Sequence, residues 1–248
     1  VAVSPSSAES FTECGMKWFL EKSGGTDGDS IAQVLGSAIH AFAALMVQEE
    51  GITEAVLVEK LKKSWNLIDP QEGWVSKTSQ EKAIAMITRF MKYHMKHERE
   101  VVGVELGFDV TVGKARIRGT VDRLEVDSAG NLFVIDFKTS KTPISYEKAE
   151  QNLQLKSYQI AVAEGGFTAQ HASTTSSGAA LIYLGHDIQK ISSREQGVIN
   201  LEDARAEIEN IAQSMGAAQF VAATNSRCKE CPVKSSCPIK AEGRTVIE

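Results

Sequence analysis

Two aspartates and one lysine near the middle of the chain have the types and the spacing of a hydrolytic metal centre. They are Asp122, Asp136 and Lys138, within the stretch GTVDRLEVDSAGNLFVIDFKTS at residues 119–140. Carboxylates are the hard oxygen ligands that Mg²⁺ and Mn²⁺ prefer, and a lysine beside them can offset charge on a phosphoryl oxygen or position a water molecule. Together these three side chains can support metal-assisted hydrolysis.

The two aspartates come together if this stretch folds into a β-hairpin. Residues 115–127 and 131–140 are rich in β-formers and flank the turn signal Ser-Ala-Gly. A hairpin centred on this turn pairs residues whose numbers sum to 258, which places Asp122 opposite Asp136 and also pairs the apolar positions nearer the turn. Lys138 follows Asp136 by two residues and therefore points to the same face of the sheet.

The opposed carboxylates themselves favour a bound cation. Side chains directly opposite on paired strands have Cβ atoms about 4.5–5.5 Å apart, where like charges destabilise the pair. Two such carboxylates share a proton or bind a cation, and a divalent metal ion satisfies both. The alternative is a solvated strand end with a surface ion pair, because isolated short motifs often mislead.

The same stretch resembles the core of the PD-(D/E)XK nucleases, in their RecB branch. The segments GTVDR and IDFKT carry the resemblance. It implies that Asp122 and Asp136 bind the metal ion and that Lys138 assists the attacking water. We expect the main-chain carbonyl of Phe137 to be a further metal ligand.

A Gln-x-x-x-Tyr pattern further along the chain matches the same branch. Gln154 and Tyr158 lie four residues apart, on one face of a helix predicted over 146–164. The resemblance implies that they contact the DNA backbone or support the active site, and we expect the same of Arg123. Ordinary helix packing is the alternative for a glutamine and a tyrosine at this spacing.

His40 is the candidate nitrogen ligand. It lies in GSAIH, a Gly-x-x-x-His pattern on a predicted helix that is apolar on two sides. A buried histidine needs a polar partner, so a core histidine bonded to a carbonyl is one interpretation. The resemblance implies instead that His40 joins the two aspartates on the metal. Glu105 lies on the preceding strand, where some relatives carry an acid, and a charged strand face explains it equally well.

Four cysteines form a second candidate site. Cys14 is separated by more than 200 residues from Cys228, Cys231 and Cys237, which read C-x2-C-x5-C. Spacing alone leaves zinc and an iron–sulfur cluster equally open, since both use four thiolates. The arrangement resembles the iron–sulfur nucleases, including AddB-type repair nucleases and CRISPR-adaptation exonucleases. It implies a 4Fe–4S cluster that joins the two ends of the chain, with zinc as the alternative.

The surrounding elements predict one α/β domain with a restriction-endonuclease-like mixed central sheet flanked by helices. We expect a helical N-terminal lobe at 1–100, the catalytic sheet and helix at 101–200, and a C-terminal helix with the Cys-rich tail at 201–248. The predicted helices span 6–24, 30–50, 53–65, 78–99, 146–164 and 201–220, and the predicted strands span 101–112, 115–127, 131–140 and 179–186, with a surface loop at 165–178.

Composition limits the setting in which this chemistry takes place. The net charge is −5 and the sequence pI about 5.7, which argues against a protein held on nucleic acid by bulk charge, although a local basic groove is sufficient. No apolar run is long enough to span a membrane, and the N-terminus lacks a secretory pattern. We therefore expect a bacterial cytoplasmic protein, and Val1, which is not a starting Met, as an internal cut point in a longer one.

The function expected from these features is hydrolysis of DNA phosphodiesters in repair or recombination. No Walker A pattern occurs, so we expect the chain to have no motor of its own. The resemblance implies that it acts with a helicase domain and a partner subunit, as in AddAB- or AdnAB-type helicase–nucleases, and that it binds DNA ends or single strands. The alternatives are a stand-alone exonuclease, a catalytically inert DNA-binding module stabilised by its cluster, and a zinc-stapled domain.

Overall fold

A six-stranded mixed β-sheet with helices on both faces forms the centre of the computed structural model, which describes residues 1–24, 31–49, 51–96, 98–186 and 191–240. The strands are β1 (Ala2–Val3), β2 (Glu100–Val112), β3 (Ala115–Val126), β4 (Leu132–Lys138), β5 (Ser176–Tyr183) and β6 (Ser192–Gln196). The helices are α1 (Pro5–Glu13), α2 (Gly15–Gly24), α3 (Ile31–Gln48), α4 (Glu54–Ile68), α5 (Trp74–Lys96), α6 (Tyr146–Glu150), α7 (Leu153–Ala163) and α8 (Leu201–Gly216), and 3-10 turns follow at Ser226–Glu230 and Lys234–Ser236. The predicted mixed sheet flanked by helices is confirmed.

The hairpin register predicted from the sequence is confirmed where β3 and β4 pair. The pairs run from Val126 with Leu132 to Arg123 with Ile135, all with numbers that sum to 258. Beyond that point β4 pairs only with β5, in parallel, while β2 covers one edge of β3 along its whole length. The other edge of β3 is next taken by β1. The expected pairs of Asp122 with Asp136 and of Thr120 with Lys138 therefore do not form, because the strands have separated there.

A fork between β3 and β4 results, and α1 begins inside it. Pro5, the first residue of α1, packs against Gly119 of β3, where an added Cβ would lie 3.1 Å from the Pro5 ring. Gly119 therefore lies in close contact with α1, and a side chain here would force one of the two to shift. Asp122 and Asp136 both lie at the point where the strands part.

The alternation of β3 changes phase at the fork. Val121 and Leu124 both belong to the core on the side of α1, α7 and α8, although they are three residues apart. The two residues between them, Asp122 and Arg123, therefore both point to the opposite face of the sheet, whereas side chains of a regular strand alternate. On β2, Glu105 has φ +50°, which is uncommon for a residue with a side chain. The distortion brings a carboxylate on each strand towards the same side.

Two apolar cores hold the sheet between helical layers. One core packs α1, α7 and α8 on one face of the sheet, and the other packs α3, α4 and α5 on the opposite face. The N-terminal third is therefore not a single helical layer: α3–α5 form the lobe that was expected, whereas α1 lies on the far side of the sheet with α7. The two cores meet the sheet through alternate residues of β4, such as Val134 on one face and Ile135 on the other.

Two predicted helices are broken in the structure. The helix expected over 6–24 is interrupted at Cys14, whose backbone is extended, and its N-cap is Ser4 rather than Ser6. The helix expected over 146–164 is interrupted before Asn152, whose side chain caps α7 by accepting from the N–H of Leu155 at 2.9 Å. Neither interruption has a glycine or proline at its centre.

Other differences concern ends and short strands. The strands β1 and β6 were not expected, β5 begins at Ser176 inside the predicted loop, and Phe167 of that loop is buried in the core. The remaining helices and strands start or end within a few residues of their predicted bounds. The predicted cap of the second helix, Asp29 or Ser30, lies outside the described residues. Among the described residues, no helix is both long enough and apolar enough to cross a membrane.

Candidate active site

Three side chains from three elements converge at the fork. His40 of α3, Glu105 of β2 and Asp122 of β3 each offer a ligand atom, and these atoms lie within 4.8 Å of one another. His40 Nδ1 is 3.1 Å from Asp122 Oδ1. Burial tends to lower the pKa of His40, but the hydrogen bond and charge of Asp122 outweigh it and the pKa is raised. The site offers one nitrogen and two carboxylate donors. From sequence, Glu105 could equally have been an ordinary surface charge; the structure places it with His40 and Asp122.

The Gly-x-x-x-His pattern has a packing reason. Gly36 lies one turn before His40 on α3, where an added Cβ would meet the Thr139 hydroxyl at 3.4 Å. Thr139 directly follows β4, so this contact lies between α3 and the end of that strand. His40 is on the same face of the helix as Gly36, and its ring reaches Asp122.

Asp122 is held by a backbone group that the fork leaves free. Its Oδ2 accepts a hydrogen bond from the N–H of Phe137 at 2.6 Å. Its Oδ1 faces His40. The Asp122 side chain thus connects the two separated strands. Its hydrogen bond to Phe137 replaces the strand pairing of Asp122 with Asp136 that the sequence predicted.

Asp136 lies on the α7 side of the fork and is almost fully buried. Its Oδ1 accepts hydrogen bonds from Gln154 Nε2 at 2.7 Å and from the Tyr158 hydroxyl at 2.9 Å. Its Oδ2 is buried and forms an ion pair with Lys138, whose Nζ lies 2.8 Å away. Burial raises the pKa of Asp136, against the charge of Lys138.

Lys138 is an ammonium group in this setting. Its Nζ donates to Gln154 Oε1 at 2.8 Å. Burial tends to lower the pKa of Lys138, but the carboxylates of Asp136, Asp122 and Glu9 outweigh it and raise the pKa. A lysine whose pKa is raised stays protonated at neutral pH, so it can offset negative charge but is a poor proton acceptor.

Glu9 of α1 is a site neighbour that the sequence reading missed. Its Oε1 accepts from Asn152 Nδ2 at 2.9 Å, and Asn152 also caps α7, which carries Gln154 and Tyr158. Burial raises the pKa of Glu9, and the charge of Lys138 opposes this. Nothing in the sequence around Glu9 indicates an active-site position. It lies in the first predicted helix, before Cys14.

Gln154 and Tyr158 occupy supporting positions. Both are buried, and Gln154 also donates to the Tyr158 hydroxyl at 2.8 Å. Buried side chains that are already bonded to Asp136 and Lys138 orient those groups. Of the two roles that the resemblance implied for this pair, the geometry corresponds to support of the active site rather than contact with the DNA backbone.

Arg123 does not lie where a DNA contact was expected. It is fully buried, its Nε is 2.7 Å from Glu125, and its Nη1 donates to His94 Nδ1 at 2.8 Å. The phase change of β3 turns it towards α5, so it cannot reach a nucleic acid from this position. The expectation of a DNA contact is corrected on that ground, and its structural role is to join β3 to α5.

The four cysteines line one cavity of about 210 Å³. Cys14 is buried at the end of α1, and Cys228, Cys231 and Cys237 in the tail are half-buried. The tail is tied to α1 by Asn225, which donates to the carbonyl of Glu13 at 3.3 Å. The structure therefore brings together the four thiols that the sequence grouped across more than 200 residues.

Four thiols around one cavity are the ligand set of both tetrahedral zinc and a 4Fe–4S cluster.

Comparison with known proteins agrees with the fold and the site. The family profile of the PD-(D/E)XK nuclease superfamily matches residues 2–238. No curated protein matches the chain in sequence. A crystal structure from Eubacterium rectale, described as a candidate exonuclease, is similar with a TM-score of 0.51 and 14% identity over 92% of this chain and 86% of that chain.

A second solved structure, that of SSO0001, covers 86% of this chain and 98% of its own at 17% identity, but its TM-score of 0.34 is too low to carry an argument. The first similarity supports the fold alone. The profile match spans the fork, its carboxylates and the lysine together, and on that evidence the chain belongs to the PD-(D/E)XK nuclease superfamily.

Proposed function

We propose that this protein is a divalent-metal-dependent nuclease that hydrolyses phosphodiester bonds in DNA. The observation that carries the proposal is the convergence of His40, Glu105 and Asp122 within 4.8 Å, beside the Asp136–Lys138 pair. A degenerate, purely binding relative would be expected to lose some of these groups. The superfamily membership of the chain supports the same activity.

The donor set fits Mg²⁺ or Mn²⁺. Carboxylate oxygens suit both ions, and Mn²⁺ accepts an imidazole beside them more readily. His40, Glu105 and Asp122 would hold the ion. Asp136, whose Oδ2 pairs with Lys138, and the main-chain carbonyl of Phe137 would complete its ligands. A bound ion of this kind polarises a phosphoryl oxygen and lowers the pKa of a water molecule.

The other residues of the site would prepare the substrate and the charges around it. The Lys138 ammonium offsets negative charge that develops on the phosphoryl group, since its raised pKa keeps it protonated. Gln154 and Tyr158 fix the orientation of Asp136. The N–H of Phe137 fixes Asp122. Such preorganisation reduces the rearrangement that the site needs when charge develops.

A cleavage assay tests the proposal directly. End-labelled single-stranded and double-stranded DNA are incubated with the protein and Mn²⁺, Mg²⁺ or Ca²⁺, and with Lys138→Met as the variant that removes the ammonium. We expect cleavage with Mn²⁺ at least as strong as with Mg²⁺, none with Ca²⁺ alone, and none by the variant. DNA binding without cleavage in any metal would support the inert-module alternative instead.

We also propose that the four cysteines hold a 4Fe–4S cluster that joins α1 to the C-terminal tail. The cavity that the four cysteines share and the resemblance to the iron–sulfur nucleases support it. Anaerobically purified protein should be brown, with a broad visible absorption band and iron in excess of zinc. Colourless protein with stoichiometric zinc would assign the site to zinc.

The setting we propose is DNA repair or recombination in a bacterial cytoplasm, with a helicase domain and a partner subunit supplying DNA ends. The RecB-branch motifs support it, and a stand-alone exonuclease is the alternative. The products of a double-stranded substrate discriminate the two: a chain that depends on a helicase degrades single strands and leaves a blunt duplex intact, whereas a stand-alone exonuclease degrades both.

A further inference from the structure

The exposed face of β3 continues from the candidate metal centre without interruption. Arg118 and Thr120 are exposed and alternate with buried residues on the same side of the strand as Asp122. The phase change of β3 lies beyond Asp122, so these three side chains follow regular strand alternation. Side chains two residues apart on a strand face are separated by about 6.6 Å, which is comparable with the distance between successive phosphates of one nucleic-acid strand.

Arg118 is an exposed cation on this face, and its charge attracts Asp109 without a direct contact. The residue opposite it on β2 is Asp109. Both oxygens of Asp109 are already taken by Arg116, at 2.7 Å and 2.6 Å. Arg118 has no hydrogen bond or ion pair within 4 Å to any described residue, so its guanidinium can accept an anion from outside the chain without breaking an internal pair.

The surface above Thr120 is open. Its partner on β2 is Gly107, which is exposed and carries no side chain. A Cβ added at Gly107 would meet only the carbonyl of Gly119, at 4.0 Å. The Thr120 hydroxyl makes no side-chain hydrogen bond within the described part of the chain. The exposed face of β3 therefore runs from Asp122 past the Thr120 hydroxyl to the Arg118 guanidinium.

Helix α3 borders this exposed face of β3 at the candidate metal centre. A cavity of about 730 Å³ lies between the helix and the sheet, lined by Gln33, Gly36, Ser37, His40, Ala41 and Glu105. This volume is within the range of small-ligand sites, about 300–1,000 Å³. It leaves room for a ligand beside the three metal-binding candidates.

We propose that β3 from Asp122 to Arg118 is the track of an extended single nucleic-acid strand. The Thr120 hydroxyl holds the phosphate next to the one that is cut, and the Arg118 guanidinium holds the phosphate after that. The track rests on the proposed function, because the acidic centre attracts a phosphate only when a cation is bound there. It adds the form of the substrate and two binding residues outside the metal centre.

Binding measurements in Ca²⁺, which should allow binding without cleavage, test the track. Fluorescence anisotropy of a short labelled single strand is followed for the wild type, Arg118→Ala, Arg118→Lys, Thr120→Val and the control Arg205→Ala. The control removes a half-buried arginine of α8 that pairs with Glu164. We expect Arg118→Ala to weaken binding about tenfold, a loss of about 1.4 kcal/mol, and to reduce the salt slope by about 0.7. Arg118→Lys should recover part of the affinity, Thr120→Val should lose about twofold to threefold, and Arg205→Ala should match the wild type.

The outcomes separate the track from the nuclease proposal. A wild type that cleaves with Mn²⁺ while Arg118→Ala binds single strands as tightly as Arg205→Ala would overturn the track alone. An equal loss by Arg118→Ala on a blunt duplex would overturn the single-strand assignment. A wild type that neither cleaves nor binds would overturn both. A KM increase for Arg118→Ala with kcat unchanged, in Mn²⁺, would support the track.

Discussion

At the scale of single residues, Asp136 allows catalysis to be separated from folding. Asparagine keeps its shape and an acceptor for Gln154 and Tyr158, and removes a buried charge whose pKa is raised by burial. We expect Asp136→Asn to lose about a thousandfold or more in cleavage rate, with a melting temperature in metal-free buffer close to that of the wild type. The control is Asp203→Asn, at an exposed carboxylate of α8. Cleavage by Asp136→Asn near the wild-type rate, at equal metal content, would remove Asp136 from the mechanism.

Glu9 provides a test of how burial affects stability with pH. Its pKa is raised by burial, so the folded state binds its proton more tightly than the unfolded state. Stability from this group is therefore present at low pH and is lost as pH rises from about 4.5 through the raised folded pKa. Glu9→Gln keeps the acceptor for Asn152 and cannot ionise, so it should lack this decline.

Urea unfolding of both proteins at several pH values measures the effect. The free-energy difference between Glu9→Gln and the wild type should grow in favour of the variant as pH rises from about 4.5. A difference that stays constant with pH would show that Glu9 is solvated like an ordinary surface carboxylate.

The sequence predicted some site residues and not others for identifiable reasons. Asp122, Asp136 and Lys138 could be found because a local hairpin brings them together, and His40 because its glycine spacing resembles a known pattern. Glu9 and Glu105 come from elements with no local signal. The position of the Glu105 side chain depends on its backbone, which has φ +50°. The burial of Arg123 depends on the change in side-chain alternation between Val121 and Leu124 of β3. Neither can be derived from an alternating pattern.

At the scale of elements, the approach of α3 to the end of β4 sets the geometry of the site. An added Cβ at Gly36 meets Thr139 at 3.4 Å, an ordinary contact. Gly36→Ala should therefore be tolerated, and it can gain up to about 1 kcal/mol from helix propensity. Gly36→Leu adds a side chain that this contact cannot accommodate and should move His40 away from Asp122. We expect Gly36→Leu to weaken Mn²⁺ binding at least about tenfold, and Gly36→Ala to bind like the wild type.

Calorimetric titration of the two Gly36 variants checks this expectation. If both variants bind Mn²⁺ as the wild type does, the glycine does not control the distance between α3 and the fork. If Gly36→Ala already loses affinity, the packing of α3 is tighter than the 3.4 Å contact indicates.

The elements missed from sequence lack the usual signals. The strand β6, SSREQ, is polar and sits at the edge of the sheet, and β1 has only two residues. The breaks at Cys14 and before Asn152 occur in continuous helical patterns. Asparagine is a favoured N-cap, so the second break had a local signal, but the first depends on the tertiary contact between Gly15 and Val221, whose backbone N an added Cβ would approach to 3.3 Å.

At the scale of the whole molecule, the four-cysteine site connects the two ends of the chain. If the proposed cluster is bound there, it closes a long loop and stabilises the folded state by restricting the unfolded one, and removing one thiolate should release α1 and the tail. We expect Cys231→Ser to lose about 2 kcal/mol or more of stability, a shift of about 4–8 °C in melting temperature for a chain of this size. Ser235→Ala in the same segment is the control. A Cys231→Ser protein that melts with the wild type would show that the site is not a structural staple.

The fold class could be predicted from the sequence, but the face of the sheet on which each helix packs could not. Periodic helices and three consecutive strands indicated an α/β fold, and the sheet is mixed as expected. That α1 lies with α7 rather than with α3–α5 depends on the fork between β3 and β4, which opens through long-range pairing with β1 and β5. The net charge of −5 likewise gave no indication of the exposed guanidinium of Arg118 on the same face of β3 as Asp122.

The central claim is that His40, Glu105 and Asp122 form the core of a divalent-metal site at the fork. Calorimetric titration of Mn²⁺ into the wild type and His40→Ala tests it most directly, with His171→Ala as the matched control away from the fork. The account predicts saturable binding by the wild type and His171→Ala, and at least about tenfold weaker binding by His40→Ala. Equal Mn²⁺ affinity in His40→Ala and the wild type would contradict it, because the imidazole that lies 3.1 Å from Asp122 would then not be a ligand.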